Sequence, residues 1–143
     1  MIERDLIKGR RKMILKCRAW DTHEQKMFYN NELIIWGGNV YLDESKGLPC
    51  RNLKCRSIPD EYLMQSTGLC DKEGTEVFDG DILHHQIQTE YTFIVKYDKD
   101  NARWYGEGLS RTYRIDITKD FLQYYKVIGN VYENPELLEN KGE

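Results

Sequence analysis

Apolar and polar residues alternate along three segments in the second half of the chain, and this alternation predicts β-strands. Residues 91–97 are the clearest case, because every second position carries an aromatic or β-branched side chain on one strand face. Residues 111–117 repeat the pattern, and residues 126–132 form a third segment of this kind. Turn-forming residues separate the segments, at 71–74, 79–80, 98–101 and 106–108. Short strands with frequent turns are typical of a small barrel or sandwich.

Helical patterns are short and lie late in the chain. Thr118 is placed to cap a helical turn within residues 118–125, and Asn134 with Pro135 suits the N-cap and first position of a terminal helix. A polar tail, residues 139–143, follows and is expected to fray. A strand, a helical turn, a last strand and a terminal helix is the order of SH3-like barrels. We therefore expect a mainly β chain (α+β overall) with an SH3-like β-barrel over residues 61–138.

The first half of the chain has a less regular pattern. Extended segments are predicted around residues 13–20, 33–36 and 40–42, and a loop-rich stretch with two prolines follows at 43–59. We therefore expect a smaller mixed N-terminal segment over residues 13–60, with a boundary close to residue 60.

Length and charge limit the possible functions. The chain has 143 residues, of which 31% are charged, and a formal net charge of −3, so we expect one soluble domain without a global basic field for nucleic acid. No apolar run reaches membrane-spanning length and no segment resembles a signal peptide. The prediction is a cytoplasmic protein that does not bind membranes.

The four cysteines, at 17, 50, 55 and 70, do not form a recognisable metal or disulfide pattern. Without an export signal the reducing cytoplasm favours free thiols, and no Cys-x-x-Cys pair is present to suggest zinc. We expect no cofactor.

An acidic and histidine-rich stretch is the main candidate for catalysis. Asp79, Asp81, His84 and His85 have the residue types of a metal or acid/base site. Adjacent side chains on a strand point to opposite faces, so His84 and His85 do not converge on one ion from a regular strand. We therefore predict that the protein is not an enzyme, and keep a metal-dependent hydrolase as a residual alternative.

A hairpin over residues 103–114 is the stronger candidate for binding. It contains Arg103, Trp104, Tyr105, Arg111 and Arg114, and arginine and aromatic side chains dominate interface hot spots and stack on unpaired bases. A purely structural interpretation places Tyr113 in the core with Ile115 and Ile117 and leaves Arg114 solvated.

Positive charge is concentrated at the N-terminus, where six of the eleven residues at 8–18 are basic. They are Lys8, Arg10, Arg11, Lys12, Lys16 and Arg18. They are interpreted either as a basic arm or, for residues 1–12, as a non-native extension. In the second case, residues 9–12, which GGA-AGG-AGA-AAA can encode, reflect a purine-rich tract that resembles a ribosome-binding site, and the native chain starts at Met13.

Three blocks of sequence resemble the YopX family of phage and prophage proteins. They are Lys-Cys-Arg-Ala-Trp-Asp at 16–21 with Lys26-Met27 downstream, the stretch from Leu63 to Leu83, and the stretch from Val127 to Leu138. The resemblance implies a mixed N-terminal segment and a C-terminal SH3-like barrel in a phage-borne protein, and it supplies no catalytic residues. Cys17 and Cys70 depart from the family pattern, in which an aromatic residue and a lysine are usual.

The favoured function is therefore a non-catalytic phage accessory protein that binds an unknown host or phage protein, or copies of itself. The alternative is a nucleic-acid-binding module that uses the 103–114 hairpin and the N-terminal basic residues. Phosphate-driven binding weakens steeply with salt, which separates the two hypotheses.

Overall fold

A computed structural model describes residues 16–44, 55–109 and 114–139 of the chain. Antiparallel strands dominate these ranges. They are β1 (Cys17–Asp21), β2 (Lys26–Tyr29), β3 (Leu33–Trp36), β4 (Asn39–Asp43), β5 (Cys55–Ile58), β6 (Leu63–Cys70), β7 (Glu76–Phe78), β8 (Asp81–His85), β9 (Thr92–Asp98), β10 (Arg103–Gly108), β11 (Arg114–Asp116) and β12 (Tyr125–Asn130). The described helical structure is one α-helical turn, α1 (Lys119–Leu122), with 3₁₀ turns at Asn30–Glu32, Asp60–Tyr62 and Pro135–Leu138. The predicted mainly β class is confirmed. No helix in the described ranges has the length and apolar character of a membrane span.

The strands pair in three antiparallel sheets within the described ranges. Their orders are β2-β1-β6-β7, β3-β4-β5 and β11-β10-β9-β8-β12. The first sheet crosses the predicted boundary near residue 60, since Ala19 of β1 pairs with Leu63 of β6. The division into segments 13–60 and 61–138 stays a prediction.

Strand β1 is buried along its whole length because neighbouring elements cover both of its faces. Ala19 packs with Phe28 and with apolar side chains of β4 and β5, whereas Trp20 packs with Met27 and Met64. A strand that is buried on both faces has no polar face, so its sequence shows no alternation.

The five-stranded sheet is a curled half-barrel, and it carries the main core on one of its faces. The predicted alternation in residues 91–97 is confirmed, because Phe93 and Val95 of β9 are buried. The buried members of this core are Val77, Leu83, Phe93, Val95, Ile117, Leu122 and Tyr125. Closure into an SH3-like barrel stays a prediction.

Loop contacts tie the first sheet to the half-barrel. In the turn between β6 and β7, the Lys72 N–H donates to the Tyr125 carbonyl at 3.1 Å, and the Asp71 carboxylate accepts from the Val127 N–H at 2.9 Å. A buried ion pair between Arg18 of β1 and Asp81 of β8 adds a second connection. The turn after β7 adds a third, since the Gly80 N–H donates to the Val95 carbonyl at 2.9 Å.

The two predicted helix starts had different outcomes. Thr118 caps α1 as expected, because its hydroxyl accepts the Phe121 N–H at 3.1 Å. Asn134 and Pro135 are at the N-cap and first position of the terminal turn, as predicted, but the Asn134 side chain does not cap the turn. Its side-chain oxygen accepts the Asn130 N–H at 3.1 Å, so it stabilises the end of β12, and the terminal helix is a single 3₁₀ turn.

Several expectations concern residues outside the described ranges. The basic extension at 1–12, Arg111 and Tyr113 of the hairpin, and residues 140–143 of the tail are among them. Those expectations stay predictions.

Candidate functional site

The predicted binding hairpin has a charged outer face. On strands β9, β10 and β11 the register places Tyr105 opposite Lys96 and Asp116, and Glu107 opposite Arg114. Lys96 pairs with Glu107 at 2.7 Å, and Arg103 pairs with Asp116 at 3.3 Å. Two of the basic side chains on this face, Lys96 and Arg103, are therefore matched by carboxylates.

The candidate residues of the hairpin divide between the two faces of the sheet. Arg103 is exposed, and the Arg114 guanidinium lies 4.3 Å from the centroid of the largely buried Tyr105 ring. Trp104 points to the other face, packs against the main core and contacts the Tyr97 ring at 4.9 Å. Arg111 lies outside the described residues. Among the described candidates, Arg103, Tyr105 and Arg114 therefore share one face of the sheet, and Trp104 lies on the other.

The acidic and histidine stretch is held by structural contacts. Asp81 pairs with Arg18 and accepts the Phe78 N–H at 2.7 Å, while His84 shares a 2.9 Å hydrogen bond with the Thr92 hydroxyl. His85 lies apart, among aromatic rings. Within the described ranges, no group of three or more His, Cys, Asp or Glu side chains is placed to hold a metal ion.

Asp79 lies in a small cleft of about 130 Å³ that Lys96 and Tyr132 also line. Burial raises the pKa of Asp79 to about 6, and the neighbouring Asp81 carboxylate contributes in the same direction. Burial also raises the pKa of the Tyr132 hydroxyl, which donates to the Glu61 carbonyl at 3.1 Å.

The described cysteines are free thiols. Cys17 is buried, and burial raises the pKa of its thiol, whereas Cys55 and Cys70 are exposed. Cys50 lies outside the described residues.

A second, larger cleft lies beside α1 and has a volume of about 460 Å³. We define the aromatic cleft by six of its lining residues, which come from the end of β8, the segment before β9, α1, the turn after α1 and the start of β12. They are His85, Tyr91, Asp120, Phe121, Tyr124 and Tyr125. Ile115 of β11 also lines it. The cleft thus joins side chains that are distant along the sequence.

The rings of the aromatic cleft hold one another in place. His85 lies parallel to Tyr124, with 6.0 Å between ring centroids, and edge-on to Tyr125 at 5.0 Å. Phe121 stacks on Tyr125 at 4.1 Å. Such ring pairs add roughly 0.5–1.5 kcal/mol beyond the burial of their area, so they help to fix the cleft before any ligand binds.

Part of the aromatic surface remains open to solvent. Tyr124 is 54% exposed and Ile115 is 36% exposed, and Tyr91, Phe121 and His85 are half-buried. The structural interpretation of the 111–117 strand holds for Ile117, which is in the core, but Ile115 lies in this cleft.

Sequence reasoning missed the aromatic cleft. It treated His85 only as a possible metal ligand, and residues 118–125 only as a helical turn. The available signal was the cluster of Phe121, Tyr124 and Tyr125 directly after the Thr118 cap. Three aromatic residues in so short a turn exceed what one face of the turn can bury.

Comparison with known proteins gives a consistent family assignment. The model of the family described as YopX protein matches residues 16–139. The chain is similar in structure to protein EF1440 from Enterococcus faecalis, with 30% identity, a TM-score of 0.60, and coverage of 89% of this chain and 99% of that one. It is also similar in fold to protein yopX from Bacillus subtilis, with 20% identity, a TM-score of 0.55, and coverage of 87% and 96%. No curated protein matches the chain. The chain belongs to the YopX protein family.

Proposed function

We propose that the protein is a non-catalytic protein-binding module and that it contacts its partner through the aromatic cleft. The observation that carries this proposal is the open, pre-formed cluster of aromatic rings beside α1, with Tyr124 54% exposed. Tyrosine supplies a large, rigid contact area at low entropic cost, and tyrosines are enriched among residues that dominate interface energy. An aromatic cluster that stays partly exposed among the described residues fits such a role.

The proposal also includes the phage origin and the cytoplasmic location that the sequence predicts. The protein acts as a phage or prophage accessory factor in the cytoplasm of the bacterial host, and the half-barrel belongs to an SH3-like barrel. Its partner is a host or phage protein, with a second copy of the chain as the alternative occupant.

Affinity capture with a matched pair of variants tests the proposed function. Tagged full-length protein is recovered from a bacterial host lysate, with one half of each sample treated with nuclease. Tyr124→Ala removes a cleft ring, whereas Tyr97→Ala removes an exposed ring at the other end of β9, roughly 20 Å away along the strand.

We expect capture of a dominant protein that resists nuclease, falls at least about fivefold with Tyr124→Ala, and changes less than about twofold with Tyr97→Ala. Equal capture by all three proteins would overturn the role of the cleft. Recovery of only another copy of the chain would make self-association the function.

Nucleic-acid binding is the second candidate, because Arg103 and Arg114 lie exposed on the hairpin and the Arg114 guanidinium lies over the Tyr105 ring. The matched carboxylates Glu107 and Asp116 and the net charge of −3 argue against a strong phosphate site. Titration with a single-stranded oligonucleotide tests it. Affinity that falls steeply as salt rises, and is lost in Arg103→Ala and Arg114→Ala, would move this candidate into first place.

A metal-dependent hydrolase remains the residual alternative. A screen for phosphatase, nuclease and esterase turnover with and without divalent metal tests it. We expect no turnover above buffer, and metal-dependent turnover that is lost in Asp79→Asn would support the hydrolase instead.

A further inference from the structure

Strand β11 is one edge of the five-stranded sheet in the described part of the chain, where the sheet order is β11-β10-β9-β8-β12. It pairs with β10, with Ile115 opposite Gly106. All three residues of β11 are exposed. An edge strand whose backbone groups are open to solvent is a template for pairing with another strand. The edge formed by β11 is therefore a candidate docking surface.

The register shows which backbone groups of β11 point outward. The Ile117 N–H donates to the Trp104 carbonyl at 3.1 Å, so the opposed pair next to β11 is hydrogen-bonded. Hydrogen-bonded and non-hydrogen-bonded pairs alternate along an antiparallel ladder. The backbone groups of Ile115 therefore face β10, and those of Arg114 and Asp116 face away from it. Within the described ranges, no residue bonds to these outward groups.

The side chains of β11 carry opposite charges on one face of the sheet. Residues two apart on a strand share a face, so Arg114 and Asp116 lie together there and Ile115 lies on the other face. The Arg114 guanidinium lies over the Tyr105 ring, and the Asp116 carboxylate pairs with Arg103. All of these charged groups are exposed, so a further ion pair would cost little desolvation.

This charge pattern selects an identical strand as the partner, in one register. The outward groups of two antiparallel β11 strands related by a two-fold axis can be paired in three ways. Arg114 opposite Arg114 and Asp116 opposite Asp116 bring like charges together, which is unfavourable. In the third way, Arg114 lies opposite Asp116 of the second copy, and Asp116 lies opposite its Arg114. That register has two opposite-charge pairs, with Ile115 opposite Ile115 between them.

We propose that β11 pairs with β11 of a second copy of the chain, antiparallel, about a two-fold axis that passes between the two Ile115 residues. The two opposed pairs of Arg114 and Asp116 each exchange two backbone N–H···O bonds. A two-fold contact of this kind uses the same surface on both copies, so it closes at a dimer. This inference goes beyond the proposed function, because it involves no partner in the aromatic cleft.

Charge-swapped variants of the full chain test the pairing. Arg114→Asp leaves two acidic residues on β11, and Asp116→Arg leaves two basic ones. Each variant should repel its own copies, whereas an equimolar mixture of the two restores both opposite-charge pairs. Glu136→Arg makes the same charge change as Asp116→Arg in an exposed turn after β12, which is at the other edge of the sheet. It is the matched control.

Sedimentation equilibrium over a series of protein concentrations measures the association. The average mass of the unaltered protein should rise toward twice that of one chain. Each charge-swapped variant alone should dimerise at least about tenfold more weakly, and their mixture should recover to within about threefold of the unaltered protein. Glu136→Arg should change the dissociation constant by less than about twofold. Amide exchange at Arg114 and Asp116 should slow as concentration rises, and the other amides confirm that each variant is folded.

Three results would overturn the inference. They are a monomer at every concentration up to about 1 mM, a loss in the single variants that the mixture does not restore, and a dimer that leaves the amides of Arg114 and Asp116 unprotected. The capture experiment separates this failure from that of the proposed function, since Tyr124→Ala leaves β11 unchanged. If capture depends on Tyr124 but the mixed variants do not pair, the dimer inference fails and the protein-binding role stands. If the mixed variants pair but capture does not depend on Tyr124, the reverse holds.

Discussion

Asp79 and Asp81 flank Gly80 in the turn between β7 and β8, yet their carboxylates have different surroundings. Asp81 is almost fully buried and pairs with Arg18, and burial still raises its pKa. Asp79 is half-buried in the small cleft, and burial raises its pKa to about 6. Burial therefore disfavours the charged form of both carboxylates, and Asp81 differs in having a direct ion pair with Arg18.

The raised pKa of Asp79 predicts how stability depends on pH. The native state keeps the proton up to about pH 6, whereas the unfolded chain releases it near pH 4, so this group lowers stability as pH rises between those values. Asp79→Asn should therefore raise the free energy of unfolding by about 1 kcal/mol at pH 7.5 and leave it nearly unchanged at pH 4. Urea unfolding at both pH values measures this difference. An increase in the free energy of unfolding that is as large at pH 4 as at pH 7.5 would contradict the raised pKa of Asp79 as its cause.

Element by element, the sequence was most informative where one face of a strand is buried. The alternation in residues 91–97 predicted β9, and the Thr118 cap predicted α1. The same reasoning could not describe β1, which is buried on both faces, or the role of Asn134, whose partner Asn130 lies in the preceding strand. The pattern of polar and apolar residues within a segment does not show which other parts of the chain that segment contacts.

The aromatic cleft shows the same limit for the functional site. His85, Tyr91, Ile115 and Tyr124 come from separate elements, and only the sheet order and the β8–β12 register bring them together. Sequence spacing alone therefore indicated the contiguous 103–114 hairpin as a binding surface and gave no indication of the cleft.

The cap of α1 provides a prediction for this element. Thr118→Ala removes the acceptor of the Phe121 N–H, so it should lower the free energy of unfolding by about 1 kcal/mol. Because α1 carries Asp120 and Phe121, the loss should also weaken partner binding at the aromatic cleft. Thr22→Ala, in the exposed turn between β1 and β2, is the matched control and should change stability by less than about 0.5 kcal/mol. Equal losses in the two variants would argue against the cap.

The molecule as a whole depends on the contacts that join the first sheet to the half-barrel. The pair between Arg18 and Asp81 is buried on both sides, and the Arg18 guanidinium also lies 4.5 Å from the centroid of the Phe78 ring. The Nε atom of Arg18 has no hydrogen-bond partner in the described part of the chain. Such a pair adds little net stability but is costly to break, because removal of one partner leaves a buried charge.

Arg18→Ala should therefore lower the free energy of unfolding by about 3–5 kcal/mol, since Asp81 keeps its burial and loses its counter-ion. Arg103→Ala breaks the exposed pair with Asp116 and should cost less than about 1 kcal/mol. Chemical unfolding of both variants gives the comparison. Similar small losses in both would mean that the buried pair does not hold the sheets together.

Photo-crosslinking in the bacterial host tests the protein-binding role of the aromatic cleft most directly. A photoreactive phenylalanine analogue replaces Tyr124 in one protein and Tyr97 in another, and both are irradiated in cells. The account predicts a covalent adduct with one dominant protein from position 124 and none of comparable yield from position 97. Adducts from position 97 alone, or equal adducts from both positions, would contradict it.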